Sequence, residues 1–374
     1  MKLNSIGKAF GTTLSAAALA ALTLSACGSD NNAGTSTSGA SGTASSSAGC
    51  GGKNSLTGEG STAQQNAIAE FNKVWAQVCS GKNLSYNPTG SGAGREQFIA
   101  KQVDFAGSDS ALKDDQVKTA ADRCGGNPAW NLPLVFGPVA MAYNLEGVDK
   151  LVVNGDVLAR IFQGQIKKWN DPAIAALNSG ATLPDVDIKP VYRSDSSGTT
   201  DNFQKYLKAA APNAWTKDTG SEFQGGAGEG AQKSAGVVQA VQATPGAIGY
   251  VEKGFAQQAG LPFAQIDNGG GAVELTEDTS KKAIDGAKFA AEGNDLALDL
   301  NSIYGTKAAD AYPLVLATYE IVCSKGYDAD TTAALKSFLT VAANEGQAGL
   351  SAAGYVSLPG AFKERLEKSI DAIA

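Results

Sequence analysis

Tyr192-Arg-Ser-Asp-Ser-Ser-Gly-Thr-Thr-Asp-Asn-Phe-Gln-Lys-Tyr-Leu207 places one arginine ahead of a run of hydroxyls and a glycine, then passes into an amphipathic pattern. Phe203, Tyr206 and Leu207 recur at i, i+3 and i+4, so a helix is predicted to begin near Ser197-Gly198-Thr199. The start of a helix carries N–H groups without intrahelical partners and the positive end of the helix dipole, a combination suited to an anion. Taken alone, the plainer reading is a capped helix after a loop. The rest of the chain decides between them.

The same design recurs. Gly60-Ser61-Thr62 follows a short strand at Ser55-Leu56-Thr57 and precedes a helix with Ala67, Phe71, Val74, Trp75 and Val78 on one face. Thr62 and Gln65 stand at capping-box spacing. Gly90-Ser91-Gly92 follows Leu84-Ser85-Tyr86-Asn87 and precedes a helix carrying Phe98 and Ile99. Val103-Asp104-Phe105-Ala106 reads as a strand ending at Gly107-Ser108-Asp109, with a charged helix from Lys113 to Arg123 behind it. Three β-loop-α units in succession predict a parallel sheet in an α/β domain. Ligands of open α/β sheets bind outside the carboxyl ends of the strands, where all these loops fall. Three helix starts, the Arg193 fork and Asp109 together favour an oxyanion site over a set of ordinary caps.

Two longer apolar strands, Leu132 to Tyr143 and Tyr312 to Cys323, flank a second α/β region with a helix at 157–162 and a strand in Pro245–Glu252. Two domains joined by two crossings are expected, the first discontinuous. With 374 residues and 43% hydrophobic content the chain can bury two cores. It contains no histidine, which excludes histidine bases, Ser-His-Asp triads and His-ligated zinc. The lack of histidine and of an Asp/Glu metal cluster weighs against a hydrolase, and no catalytic residue, metal or cofactor is expected.

Residues 1–26 join a Lys-bearing start to an apolar stretch ending at Leu24-Ser25-Ala26, as in a secretory signal peptide. Cys27 follows directly and resembles the lipid-modified cysteine of a bacterial lipobox; the alternative is an ordinary cleavage site. Residues 27–52 form a Gly/Ser/Thr/Ala tether. Without the signal the chain has 28 basic against 37 acidic residues, a net charge of −9, so nucleic acid is not an expected partner. Cys50, Cys79, Cys124 and Cys323 are an even set in an exported chain, so disulfides are expected, in any of three pairings.

Gly58-Glu-Gly-Ser-Thr62, Gly90-Ser-Gly-Ala-Gly94, Val103-Asp-Phe-Ala-Gly-Ser-Asp109, Arg193-Ser-Asp-Ser-Ser-Gly-Thr199 and Pro245-Gly-Ala-Ile-Gly-Tyr250 together resemble the phosphate-binding lipoproteins of bacterial high-affinity phosphate ABC transporters. The Arg-x-Asp-x-Ser-Gly-Thr run is the most specific part. The resemblance implies a type II periplasmic-binding-protein fold, with lobe I at 53–143 and 312–374 and lobe II at 144–311. It implies a monomeric receptor, not an enzyme, that is lipid-anchored outside the membrane. It would take inorganic phosphate and pass it to the membrane subunits of an ABC permease. The matching positions are Thr62, the Ala63 amide, Ser91, Asp109, Arg193, Ser197, Gly198 and Thr199, with Asp195 orienting Arg193. Arg95 departs from the pattern, either as a solvated helix charge or as an extra cleft cation. Rival readings are a receptor for sulfate or molybdate, and a secreted phosphatase. Gly226–Ser234 approximates a P-loop and is expected to be a cleft-rim loop; Trp75, Trp130 and Trp169 are expected to pack, and Asp201 to complement a helix dipole.

Overall fold

The computed structural model describes residues 49–290 and 292–374, so the expected signal peptide, Cys27 and most of the tether lie outside the described residues. Strand and helix alternate as expected. β1 (Ser55–Gly60) leads to α1 (Gln65–Val78), β2 (Asn83–Pro88) to α2 (Ser91–Ile99), and β3 (Phe105–Ser108) to α3 (Asp114–Arg123). β1 pairs in parallel with both β2 and β3, because each return passes through a crossover helix. After β4 (Ala129–Tyr143) come α4 (Gly155–Phe162), β5 (Lys189–Arg193), α5 (Gly198–Ala210), β6 (Glu229–Ala231), α6 (Lys233–Ala243) and β7 (Ala247–Glu252). The chain ends with β8 (Val315–Cys323), α7 (Ala329–Ala343) and α8 (Gly360–Asp371).

The main sheet runs β2-β1-β3-β8-β4-β7-β5-β6. β4 joins its two halves. From Ala129 to Pro138 it pairs antiparallel with β8, and from Val139 to Tyr143 with β7. The chain therefore passes from the first half to the second near Val139 and returns at Leu314, whose carbonyl accepts from the Val139 amide at 2.9 Å. β8 was expected to start at Tyr312 but starts at Val315. Pro313 has no N–H to give a ladder, and the Tyr312 hydroxyl bonds the Val139 carbonyl instead.

Each half has its own aromatic packing. In the first, Phe338 of α7 meets Trp75 edge-on at 5.4 Å and stacks on Phe105 at 5.8 Å. In the second, Phe203 stacks on Tyr250 at 4.4 Å while Phe162 meets Phe203 edge-on. Such pairs add about 0.5–1.5 kcal/mol each to the burial itself. Trp75 and Trp169 are fully buried with indole N–H groups on Ser337 and the Gly246 carbonyl, as packing residues require.

The cysteines pair as Cys50–Cys79 and Cys124–Cys323. The first ties the start of the described chain to the end of α1. Lys82 reinforces it by donating to the carbonyls of Gly51, Gly52 and Lys53, so residues 50–52 of the expected tether are held against the fold. Among the described residues no helix is long and apolar enough to cross a membrane.

Candidate functional site

β1, β2, β3 and β5 all end at one place, and the loops leaving them converge there. α5 begins at Gly198 with Ser197 as N-cap, its hydroxyl accepting from the Thr200 amide at 3.2 Å. α2 begins at Ser91 behind Gly90, whose φ of 110° lies in the left-handed region glycine adopts without strain. Thr62 does not form the expected capping box. Gln64 is the N-cap of α1 without a side-chain bond, and the Thr62 hydroxyl lies 2.8 Å from that of Ser234 instead.

Asp109 is the centre of the first half's contribution. Its Oδ1 accepts from Ser61 at 2.5 Å and Thr318 at 2.7 Å, and its Oδ2 accepts from Ser91 at 3.0 Å. Burial pushes its carboxyl up to about 6 against the pull of these three hydroxyls, with Glu252 adding to the push. Ionised, such a group can only accept hydrogen bonds.

Arg193 is the second half's cation. Its Nε and Nη2 donate to Asp195 at 2.7 and 2.5 Å, a two-point fork, and Nη1 reaches Ser234 Oγ at 3.5 Å. Burial works against the charge on Arg193, and Asp195 more than offsets it, so the guanidinium stays charged. The Lys233 amide bonds Asp195 in turn. Thr199 donates to Glu252 Oε1 at 2.6 Å, and Thr200 meets the Tyr250 hydroxyl that also receives the Arg193 amide.

The eight expected site residues thus gather in one buried region. Gly198 has to be glycine because a Cβ there would lie 2.5 Å from Ser91 Oγ and 2.6 Å from Asp109 Cβ. The Ala63 amide, expected to be a ligand donor, donates to Ser61 Oγ at 3.0 Å. The first-turn amides of α5 at Gly198 and Thr199 are donors of the kind an anion uses.

Several participants were not foreseen. Ser61 and Thr318 hold Asp109, Ser234 links Arg193 to Thr62, and Glu252 holds Thr199. Ser234 was hidden in the segment read as a rim loop, which instead forms β6 and the start of α6. A hydroxyl in the apolar run of β8 and an acid ending the buried strand β7 were the available signals for Thr318 and Glu252.

Arg95 is not a solvated charge. It is 1% exposed and donates to Ser108, Gln116 and, across the halves, Ser221 at 3.2 Å. Asp201 lies in the first turn of α5 as expected and also accepts from Ser110 of the other half at 2.5 Å. A cavity of about 520 Å³ adjoins Asp109 and Asn202, with Lys205 and Lys208 on its wall. No cluster of residues able to hold a metal ion occurs among the described residues.

Residues 23–345 match the model of the PBP superfamily domain. The chain is 49% identical to phosphate-binding protein PstS 3 of Mycobacterium tuberculosis, over the full length of both. It is 46% identical to PstS 2 of the same organism, covering 97% of this chain and 98% of that one. The fold is also similar to a periplasmic phosphate-binding protein solved with phosphate, PfluDING, with a TM-score of 0.69 at 24% identity over 84% of this chain and 93% of that one. A phosphate ABC transporter substrate-binding protein from Clostridium perfringens, described as putative and solved with phosphate, gives 0.60 at 15% over 82% of this chain and all of the other. These neighbours share a fold of two α/β lobes, and the full-length relatives settle the membership: the chain belongs to the PBP superfamily and, within it, to the PstS phosphate-binding proteins.

Proposed function

We propose that this protein is an extracytoplasmic solute-binding lipoprotein that captures inorganic phosphate between its lobes and delivers it to an ABC permease. Lobe I comprises 53–143 and 312–374, and lobe II 144–311. Thr62, Ala63, Ser91 and Asp109 act from lobe I; Arg193, Ser197, Gly198 and Thr199 act from lobe II, with Asp195 aiming Arg193. The amides of α5 and the Nη1 of Arg193 supply donors and positive potential to the oxyanion. Binding and release involve no covalent step, and the protein works without cofactor or metal, as a monomer held to the membrane through lipid on Cys27.

The observation that carries this reading is Asp109, a buried carboxylate set among anion-binding helix starts. An acceptor-only group facing an anion is repulsive unless the anion brings a proton. Phosphate at neutral pH has one; sulfate has none. Isothermal titration at pH 7.5 tests the reading. Phosphate is expected to bind and sulfate to bind at least about thirtyfold more weakly, the cost of protonating Asp109, which stands at about 6, so that it no longer faces sulfate as a bare charge. Equal affinities would make this a general oxyanion receptor, and release of phosphate from a phosphomonoester would make it an enzyme.

A further inference from the structure

Thr318 lies in the middle of β8, a strand buried along its whole length, and is itself fully buried. A hydroxyl in such surroundings needs a partner, and its partner is Oδ1 of Asp109 at 2.7 Å. Ser61 reaches the same oxygen at 2.5 Å. A carboxylate oxygen has two lone-pair directions, so Oδ1 is full. Among the described residues Oδ2 receives Ser91 alone, at 3.0 Å, which leaves it a second acceptor direction. That oxygen is bordered by Gly198 at the start of α5, where even a Cβ would stand 2.7 Å away.

We propose that Thr318 is a positioning residue for ligand recognition: with Ser61 it saturates Oδ1, leaving Asp109 a single acceptor position, on Oδ2, to read the proton of phosphate. The assignment rests on the phosphate-receptor reading and adds to it a residue about two hundred positions from Asp109, outside every motif that suggested the site.

The Thr318 bond also favours the ionised form of Asp109, opposing burial. Other charges bear on the same carboxylate. Arg95 on α2 attracts it, while Glu252 on β7 repels it. Asp201 on α5 is paired with Lys205, and Arg193 on β5 with Asp195. Glu320 on β8 has no cation partner among the described residues, and burial, with Asp109 adding to it, pushes its carboxyl well above the usual carboxylate value. The facing tyrosines Tyr86, Tyr304, Tyr319 and Tyr355 are likewise raised by burial and remain neutral. Removing the Thr318 hydroxyl shifts this balance toward the protonated acid, which tolerates sulfate.

The test is titration of wild type, Thr318→Val and Thr318→Ser with phosphate and with sulfate from pH 5 to 8.5, read as the ratio of the two affinities. In wild type the preference for phosphate should build with a midpoint near the Asp109 value of about 6. In Thr318→Val the midpoint should move up by about one pH unit and the ratio at pH 7 fall roughly tenfold, one unit being tenfold in the protonation equilibrium. Thr318→Ser should restore both. Thr318→Ala carries the same expectation as Val should the latter not fold, with thermal melting to establish folding. A wild-type midpoint and ratio in a folded variant lacking the hydroxyl overturn the assignment of Thr318. Wild type that binds no phosphate at any pH overturns the receptor reading itself, and this assignment with it.

Discussion

The hydroxyls of Thr62 and Ser234 lie 2.8 Å apart, buried, across 172 positions of the chain. Thr62 leaves the end of β1 in one half of the sheet, and Ser234 lies in the first turn of α6 in the other. Around them the halves meet through further polar contacts. The Gly92 amide bonds the Ser196 carbonyl at 3.1 Å, Asn202 bonds the Asp109 carbonyl at 2.6 Å, and Arg95 bonds Ser221. An apolar interface would lose its burial on parting, whereas these groups can exchange each other for water at small net cost, about 0.5–1.5 kcal/mol per bond. The contact is suited to opening and closing.

Gly198 sets how closely the halves approach. Its backbone has no positive φ, so alanine there is unstrained; the obstacle is space, since the new Cβ would overlap Ser91 and Asp109 of the opposite half. Gly198→Ala should fold normally and fail to close. Small-angle scattering should show wild type becoming more compact on adding phosphate and the variant not changing, with affinity down at least a hundredfold. A variant that binds and compacts like wild type would show that the halves need not meet here.

Arg193 is expected to dominate the cationic side of the site. Arg193→Ala should cost about 2–5 kcal/mol of phosphate binding, a factor of roughly thirty to several thousand. Asp195→Asn is the more informative change. It leaves the guanidinium in place but replaces one oxygen of the 2.7 and 2.5 Å fork with a donor. Loss of one charge-assisted bond, about 1.5–3 kcal/mol, should appear as weaker phosphate binding by calorimetry. Unchanged affinity would mean that Asp195 does not aim Arg193, and stronger binding would mean that it only neutralises it.

Much of this was legible in the sequence because helix starts and strand ends are local signals. Ser197-Gly198-Thr199 does begin α5, and Ser91 does begin α2. What escaped were pairings set by the tertiary fold. Thr62 and Gln65 have capping-box spacing, yet Thr62 bonds Ser234, a partner that exists only once α6 is packed opposite. Arg95 on a short helix reads as a solvated charge until Ser108 and Ser221 close over it. Thr318 looked like one polar residue in an apolar strand, because nothing in its neighbours announces Asp109. The pairing of Cys124 with Cys323 was open for the same reason.

That disulfide gives a stability prediction. It closes a separation of 199 residues, against 29 for Cys50–Cys79. By loop entropy the first is worth about 5 kcal/mol and the second about 4, so both matter and the longer matters more. Replacing Cys124 and Cys323 together by serine should lower the denaturant midpoint by more than replacing Cys50 and Cys79. Equal losses would indicate that strand pairing of β8 with β3 and β4 already holds that connection in the unfolded ensemble.

Asp109 ties selectivity to stability. Its carboxyl stands at about 6 in the fold against 3.8 as a free side chain, so the fold binds its proton more tightly than the unfolded chain does. An acid raised in this way contributes most below pH 4; that contribution is lost as pH rises toward 6, and above it the buried charge costs about 3 kcal/mol. Asp109→Asn removes the charge. In phosphate-free buffer the variant should melt several degrees above wild type at pH 7.5, and the gap should shrink toward zero near pH 4. The asparagine also puts a donor where one acceptor oxygen stood, so the variant should bind sulfate better relative to phosphate. Saturating phosphate should narrow the melting gap from the other side, because it stabilises wild type by filling the acceptor the charge provides. Melting curves that stay parallel between pH 4 and 8 would mean that Ser61, Ser91 and Thr318 already compensate the buried charge in full, and the selectivity of the site would then carry no stability cost.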